Sequence, residues 1–501
     1  MGWQAVIGVE VHVQLRTGRK LFCRDRVAFG AEPNTLVCPV CLGLPGALPT
    51  LDPRAVDLAV RTALALECTL HDTSVWARKS YFYPDLPKGY QITQFDRPLA
   101  TGGTLDFDGP AGAGRVRIRR VHMEEDAGKS LHDRIPEGTA VDLNRAGTPL
   151  VEIVTEPDLH TPEDVRSFLG ELRQLLEFAD VSDCSMEEGS LRVDANVSVR
   201  RAESAELGTK TEIKNVNSFS GIERALRMEI DRQIAVLEGG GSVRGETLLW
   251  DDHRASLRPM RSKEDRHDYR YLPDPDLPPL VLGAAVVRSV RGMLREMPRA
   301  RRARFQAEYG LSSYDAGVVT QSRAGADYFE TVAEGCADAK LAANWIMGPL
   351  QALLNARAAT WDAPPVDAPR LIELLGLVRD GTVSDRVAKQ LLDALADGPE
   401  GAEEIVASRG LEQVSEPAML ERWVDEVVAA FPDECARYRE GEDRLLGFLV
   451  GQVMQRSRGR ADPRGVNLRI RERLGGVEQA PGRGGLSSGR GAGSDRRRPS
   501  S

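Results

Sequence analysis

No apolar run of about eighteen residues, the length that carries a helix through a membrane, occurs in this sequence of 501 residues. Its first residues, Met1-Gly2-Trp3-Gln4, do not open a secretory signal, so a cytoplasmic location is expected. Cysteine is scarce: seven residues, an odd number, argue against a disulfide framework. An excess of positive charge is missing too. Lys and Arg number 66 against 75 Asp and Glu, a formal net charge of −9, so any contact with nucleic acid must come from a local basic patch. There is no internal repeat. There is no Walker motif either: Gly128-Lys129-Ser130 would need a glycine where Met123 stands.

What is present is enough chain for two to four domains, each with its own core. Alternation of apolar and polar residues predicts strands over 7–15, 115–124, 150–155 and 190–200. A helix is expected over 162–178, opened by Thr161 as N-cap with Glu163 and Asp164 in its first turn. Another is expected over 222–237, ending at Gly239-Gly240-Gly241. Beyond the Pro-rich segment 271–279 the texture becomes helical, with joints at 363–369 and 397–401. The reading is an α+β region followed by all-α modules, with a Gly/Ser/Arg-rich tail expected to be disordered.

The opening strand carries the first chemistry. Val9, Val11 and Val13 share one face; Gly8, Glu10, His12 and Gln14 share the other, which sets a carboxylate and an imidazole two residues apart. A second strand repeats the pattern, with Arg192, Asp194, Asn196 and Ser198 on its polar face. Glu124-Glu125-Asp126 places three carboxylates side by side, and these need either free solvation or a cation. Oxygen donors with one imidazole suit Mg²⁺ or Mn²⁺. The segment Arg78–Ile92 combines aromatics, prolines, Lys79 and Lys88; Lys210, Glu212 and Lys214 share another strand face. Cys38-Pro39-Val40-Cys41, with Cys23 upstream and Asp25 as the one available fourth donor, is an incomplete zinc pattern. Between 444 and 473, eight arginines face two acids, which points to RNA phosphate.

These motifs, in this order, resemble the B subunit of the aspartyl/glutamyl-tRNA amidotransferase family. The resemblance rests on Gly8–Leu15, Cys38–Gly46, Tyr81–Gln91, Glu124–Lys129, Val141–Gly147, Met186–Asp194 and Asp268–Leu277, with Gly447–Met454 matching the small tail domain. It covers residues 1 to about 474. It implies a cradle-like mixed-sheet domain with a kinase-like site (1–293), a helical domain (294–405), a tRNA-binding tail domain (406–474) and a disordered end (475–501). It also implies ATP and Mg²⁺ or Mn²⁺ as cofactors, misacylated tRNA as substrate, and a heterotrimer whose other members are an amidase (glutaminase) A subunit, which makes ammonia, and a small C subunit. The implied reaction phosphorylates the side-chain carboxylate of Glu-tRNA(Gln) or Asp-tRNA(Asn), and ammonia then displaces phosphate.

On that basis Glu10, His12, Glu125 and Asp194 are the expected metal shell, with Glu124 and Glu212 as near alternatives. Lys79, Lys88 and Lys214 are the expected phosphate contacts, and Arg456, Arg458, Arg460 and Arg464 the expected tRNA contacts. Zn²⁺ at Cys23, Asp25, Cys38 and Cys41 is in doubt, because family members with a full site carry Cys where Asp25 stands. The chain lacks an evident glutaminase: Cys41 has no base by sequence, and Gly485-Leu486-Ser487-Ser488-Gly489 only mimics an amidase serine motif. Two other classes remain: a non-catalytic tRNA-binding scaffold, and an aminoacyl-tRNA synthetase. The second rests on Met260-Arg261-Ser262-Lys263 alone, since Val13-Gln14-Leu15 follows His12 where an HxGH motif would be needed.

Overall fold

The structure is a computed structural model that describes residues 2–260, 269–413, 416–457 and 459–475. Arg458, Arg261–Lys263, Asp268 and the tail from 476 lie outside the described residues. Two compact units divide the chain, Met1–Asp327 and the region from Tyr328 onward. The first is built on a sheet, the second on helices, giving a mixed α/β chain. No helix among the described residues is long and apolar enough to cross a membrane.

A ten-stranded sheet organises the first unit. The opening strand, Trp3–Gln14, lies near its centre, between Leu191–Arg201 on one side and Pro149–Thr155 on the other, both antiparallel. Beyond Pro149–Thr155 comes Gly112–Glu125, and beyond Leu191–Arg201 comes Thr211–Val216. Each of the four predicted strands forms, and Trp3–Gln14 and Gly112–Glu125 run longer than alternation alone indicated. The inward residues Val9, Val11 and Val13 are 1%, 0% and 0% exposed, each worth about 1.5–3 kcal/mol of apolar burial. Replacing Val11 by Asp would bury an unpaired charge at the centre of this layer.

Helices Pro53–Ala65, Pro162–Phe178 and Phe219–Glu238 cover that inward face, contributing Leu58, Phe168, Leu172, Ile222 and Leu226 to one core. Thr161 caps Pro162–Phe178 through Asp164 N, as the sequence indicated. Phe219–Glu238 begins three residues earlier than its apolar pattern suggested, because the Ser218 hydroxyl accepts from Gly221 N. The other face of the sheet is polar. Over it lies a small three-stranded sheet of Arg270–Pro273, Trp76–Ser80 and Tyr90–Gln94, tied down by Thr93 Oγ1 to Glu124 Oε2 at 3.4 Å and Gln91 Nε2 to the Glu125 carbonyl at 2.7 Å.

The second unit is helical. Its last four described helices, from Pro417–Ala430 to Pro463–Leu474, close around Leu420, Trp423, Val427, Leu449, Val453 and Ile470.

Candidate functional site

Strand register explains how distant acids and imidazoles meet. His12 stands opposite Glu152 on one neighbour and Arg192 on the other; Glu152 in turn stands opposite His122. Directly paired residues in a sheet share a face, so these four side chains form one row. The adjoining row holds Glu10 with Asp194. Glu124 lies two residues beyond His122 and therefore on the same face.

The centre of the row is tight. His12 Nε2 lies 3.5 Å from Glu152 and 3.8 Å from Glu124, while His122 Nε2 lies 3.2 Å from the same Glu152 oxygen. One ligand atom each from His12, Glu124 and Glu152 can be chosen so that all lie within 4.8 Å of one another. Both carboxylates are buried, at 4% and 8% exposure, which excludes the solvated-loop reading for Glu124. Burial alone would lower the His12 pKa; the hydrogen bond and charge of Glu152, with the charge of Glu124, overcome it and raise the imidazole to about 9. Burial pushes Glu152 the other way, but the charge of His122 and hydrogen bonds from both imidazoles hold it well below the ordinary carboxylate range. A proton thus sits where two buried oxygen donors and one imidazole nitrogen converge. That donor set fits a hard divalent cation.

The remaining expected site residues divide by partner. Glu10 accepts from Asn196 Nδ2 at 3.2 Å; burial first, then repulsion from Glu152 and Glu212, raises its pKa. Asp194 and Glu212, expected near the metal, share Lys214 at 2.8 and 2.9 Å. Glu125 points away from Glu124, as neighbours on a strand must, and accepts from Lys88 Nζ and from Ile92 N at 2.8 Å. Asp126 holds Arg192 at 2.9 Å and accepts from Gln14 Nε2 at 3.0 Å. Lys79 reaches over the site from the small sheet, 4.7 Å from the Tyr269 ring; burial would lower its pKa, but Glu124, Tyr271 and Glu152 raise it. Glu152 and His122 were not anticipated as site residues. A lone Glu within Pro149-Leu150-Val151-Glu152-Ile153-Val154 was the available signal, because a carboxylate in a buried apolar strand must find a partner.

A second donor group lies in the loops after the opening strand. Cys23, Asp25, Cys38 and Cys41 offer ligand atoms all within 4.8 Å of one another. Cys41 Sγ is 3.3 Å from Asp25 Oδ2 and 3.9 Å from Cys38 Sγ, and the fully buried Lys20 points its Nζ at Cys41 Sγ from 3.6 Å. The hydrogen bond from Cys23 lowers Cys41 to about 6 against its burial, helped by Lys20, while Cys23 is pushed up. Three thiols and a carboxylate suit zinc. The Cys38–Gly46 segment also packs on the main site: Gly43, at φ +68°, leaves room for Lys88, whose Cγ would lie 2.7 Å from a Cβ there.

In the second unit, Arg456 and Arg464 are exposed and Arg460 is half-buried. Arg456 lies over the Phe431 ring at 5.6 Å, and Arg460 donates to the Gly410 carbonyl at 3.2 Å.

Comparison with known proteins bears on both units. Residues 5–288 match the family described as the GatB/GatE catalytic domain, and residues 327–474 match the GatB domain family. The chain is 52% identical over 476 residues to the aspartyl/glutamyl-tRNA(Asn/Gln) amidotransferase B subunit of Moorella thermoacetica, covering 95% of this chain and 100% of that one. It is 48% identical over 474 residues to the protein of the same name from Caldanaerobacter subterraneus subsp. tengcongensis, covering 95% and 100%. With that from Myxococcus xanthus it shares 48% over 473 residues, covering 94% and 99%. A fold that gathers acids, imidazoles and lysines on one sheet face, with this likeness end to end, leaves one conclusion: the chain belongs to the family of aspartyl/glutamyl-tRNA(Asn/Gln) amidotransferase B subunits.

Proposed function

We propose that the sheet unit activates the side-chain carboxylate of Glu-tRNA(Gln) or Asp-tRNA(Asn) with ATP and amidates it. The observation that carries this reading is the row of half-buried His12 with buried Glu152, His122 and Glu124, faced by Lys79 from the small sheet. An unactivated carboxylate does not exchange oxygen for ammonia, because oxide would have to leave. In the proposed reaction a carboxylate oxygen attacks the γ-phosphorus, the bond to ADP breaks, and an acyl phosphate forms. Ammonia nitrogen then attacks the acyl carbon, the carbon–oxygen bond to phosphate breaks, and a proton leaves the nitrogen.

The resident residues divide the work. His12, Glu124 and Glu152 would hold a Mg²⁺ or Mn²⁺ ion, which when bound screens the charge on the phosphoryl group. Lys79 lies ready to meet phosphoryl oxygens, and Lys88 and Lys214 are oriented by Glu125 and by Asp194 with Glu212. Glu10 lies beside the row as a further ligand or as a contact to the substrate. This makes the cradle of residues 1–293 a kinase-like centre. Residues 294–405 and 406–474 serve as helical and tRNA-gripping modules, Arg456, Arg460 and Arg464 meeting phosphates in the latter. Ammonia comes from the glutaminase partner, the A subunit, in a cytoplasmic heterotrimer that also holds the small C subunit. Zn²⁺ in the Cys23/Asp25/Cys38/Cys41 group would brace the loop behind Lys88.

Glu152→Gln in the assembled complex keeps the shape of the row and removes its charge. tRNA-dependent ADP formation is expected to fall about 100-fold while tRNA affinity stays near wild type. Unchanged ADP formation would overturn the proposal.

A further inference from the structure

Lys88 and Lys214 are ion-paired with carboxylates, but the same sheet face holds two arginines that are paired with no described residue. Ile118 and Val121 both face the core, at 1% and 0% exposure, although they are three residues apart. Between them the pairing slips: Val154 stands opposite Arg120, but Thr155 stands opposite Ile118. This is a β-bulge, and it turns two consecutive residues, Arg119 and Arg120, to the polar face that carries His122 and Glu124. Earlier arginines of the same strand are paired, Arg115 with Asp106 and Arg117 with Asp158 at 2.7 Å. The side chains of Arg119 and Arg120 make no hydrogen bond or ion pair with any described residue, and Arg120 Nε is buried without an acceptor. A half-buried guanidinium in that condition is costly unless an anion completes it.

Its surroundings say which anion. Arg120 lies close enough to Tyr271 for its charge, with that of Lys79, to oppose the burial that pushes the phenol up. Tyr271 stacks on Phe95, ring centroids 3.8 Å apart and planes 10° from parallel, and Phe95 remains 41% exposed. A fork of donors beside an open aromatic face is the chemistry that receives a nucleotide, phosphate on the guanidinium and base on the ring.

We infer that the Arg119–Arg120 bulge, with the Phe95–Tyr271 stack, is a binding site for a nucleotide phosphate. This rests on the proposed function, which requires both ATP and the 3′ end of an aminoacyl-tRNA in the same cleft. The phosphate is therefore either that of ATP or the terminal phosphodiester of the acceptor end. Because Lys88 and Lys214 are already paired with carboxylates, Arg120 joins Lys79 as a group on this face with charge to give the ligand. The bulge also explains itself this way: without the slip, Arg120 would point into the core in place of Val121.

The test uses the complex assembled with its partner subunits. Calorimetry with inorganic tripolyphosphate reads the arginines without turnover. The Arg119→Ala/Arg120→Ala variant is expected to bind it about tenfold more weakly than wild type, and Arg120→Lys to fall between. In transamidation assays of Arg120→Ala, a raised KM for ATP identifies the triphosphate as the ligand, and a raised KM for aminoacyl-tRNA identifies the phosphodiester. Partial recovery with added guanidinium ion marks a lost contact rather than lost structure. Failure of wild type to bind tripolyphosphate, equal binding by wild type and the double variant, or two unchanged KM values with only a lowered Tm would each overturn the inference. Loss of the proposed function itself would show differently, as a wild-type complex that binds tripolyphosphate but forms no ADP with misacylated tRNA.

Discussion

Two groups in the sheet unit are able to hold a cation, and they are built in opposite ways. His12, Glu124 and Glu152 come from three neighbouring strands and are hard donors on a rigid surface, fixed by register over more than a hundred residues of sequence. Cys23, Asp25, Cys38 and Cys41 come from one stretch of loop and are mostly soft donors. The strand group can hold its geometry with a proton in place of a metal, because hydrogen bonds within the sheet orient every ligand. The loop group has a buried lysine, Lys20, pointing its Nζ at Cys41 Sγ. On the proposed reading the difference separates chemistry from architecture: the first group acts on a substrate and the second braces what surrounds it.

Substitutions can break this contrast. The largest effect is expected at the strand group. His12→Ala should lower transamidation by about 100-fold or more with little change in Tm, measured on the assembled complex. If Tm falls in step with activity, the row is holding the sheet together rather than serving the reaction. Cys41→Ser should do the reverse. It should release any bound zinc and lower Tm by several degrees, about the size expected for loss of about 1–2 kcal/mol, with a smaller loss of rate. Metal content by elemental analysis and a melting curve together decide it, and an equal Tm with no metal in either protein would remove the bracing role.

The strand group also carries a pH dependence. The folded His12 pKa of about 9 lies above the ordinary value of 6.5. The sign follows: its contribution to stability is complete below about 6.5 and is lost as pH rises through about 9. A cation must displace the same proton, so Mn²⁺ affinity at the strand group should climb over that window. His12→Gln should flatten the rise, and a profile unchanged by that substitution would show that the ion binds elsewhere. The smallest effect is expected in the second unit. Arg464→Ala should weaken tRNA binding slightly and reduce the slope of log affinity against log salt by about one.

The contrast also explains what the sequence could disclose. The cysteine group was legible from spacing, since Cys38 and Cys41 are three residues apart and need no fold to bring them together. Glu10, His12, Arg192 and Asp194 were legible as polar faces of alternating strands, because period two is a local property. Which of them converge was not legible. Glu124 and Glu125 differ only in the face they occupy, and that parity depends on where the strand begins and on the slip at Arg119–Arg120. Glu152 looked like one acid in an apolar strand until its neighbours His12 and His122 were known. The helix over 162–178 was readable to the residue because Thr161, Pro162 and Asp164 mark its start chemically.

Activation of a carboxylate by phosphorylation on this sheet face would carry one carboxylate oxygen into the released phosphate. It is tested most directly by supplying the assembled complex with Glu-tRNA(Gln) labelled with ¹⁸O in both side-chain carboxylate oxygens. One labelled oxygen is expected in the released phosphate for each amide formed, with loss of that transfer in Glu152→Gln. Amide formation with no label in the phosphate would contradict it.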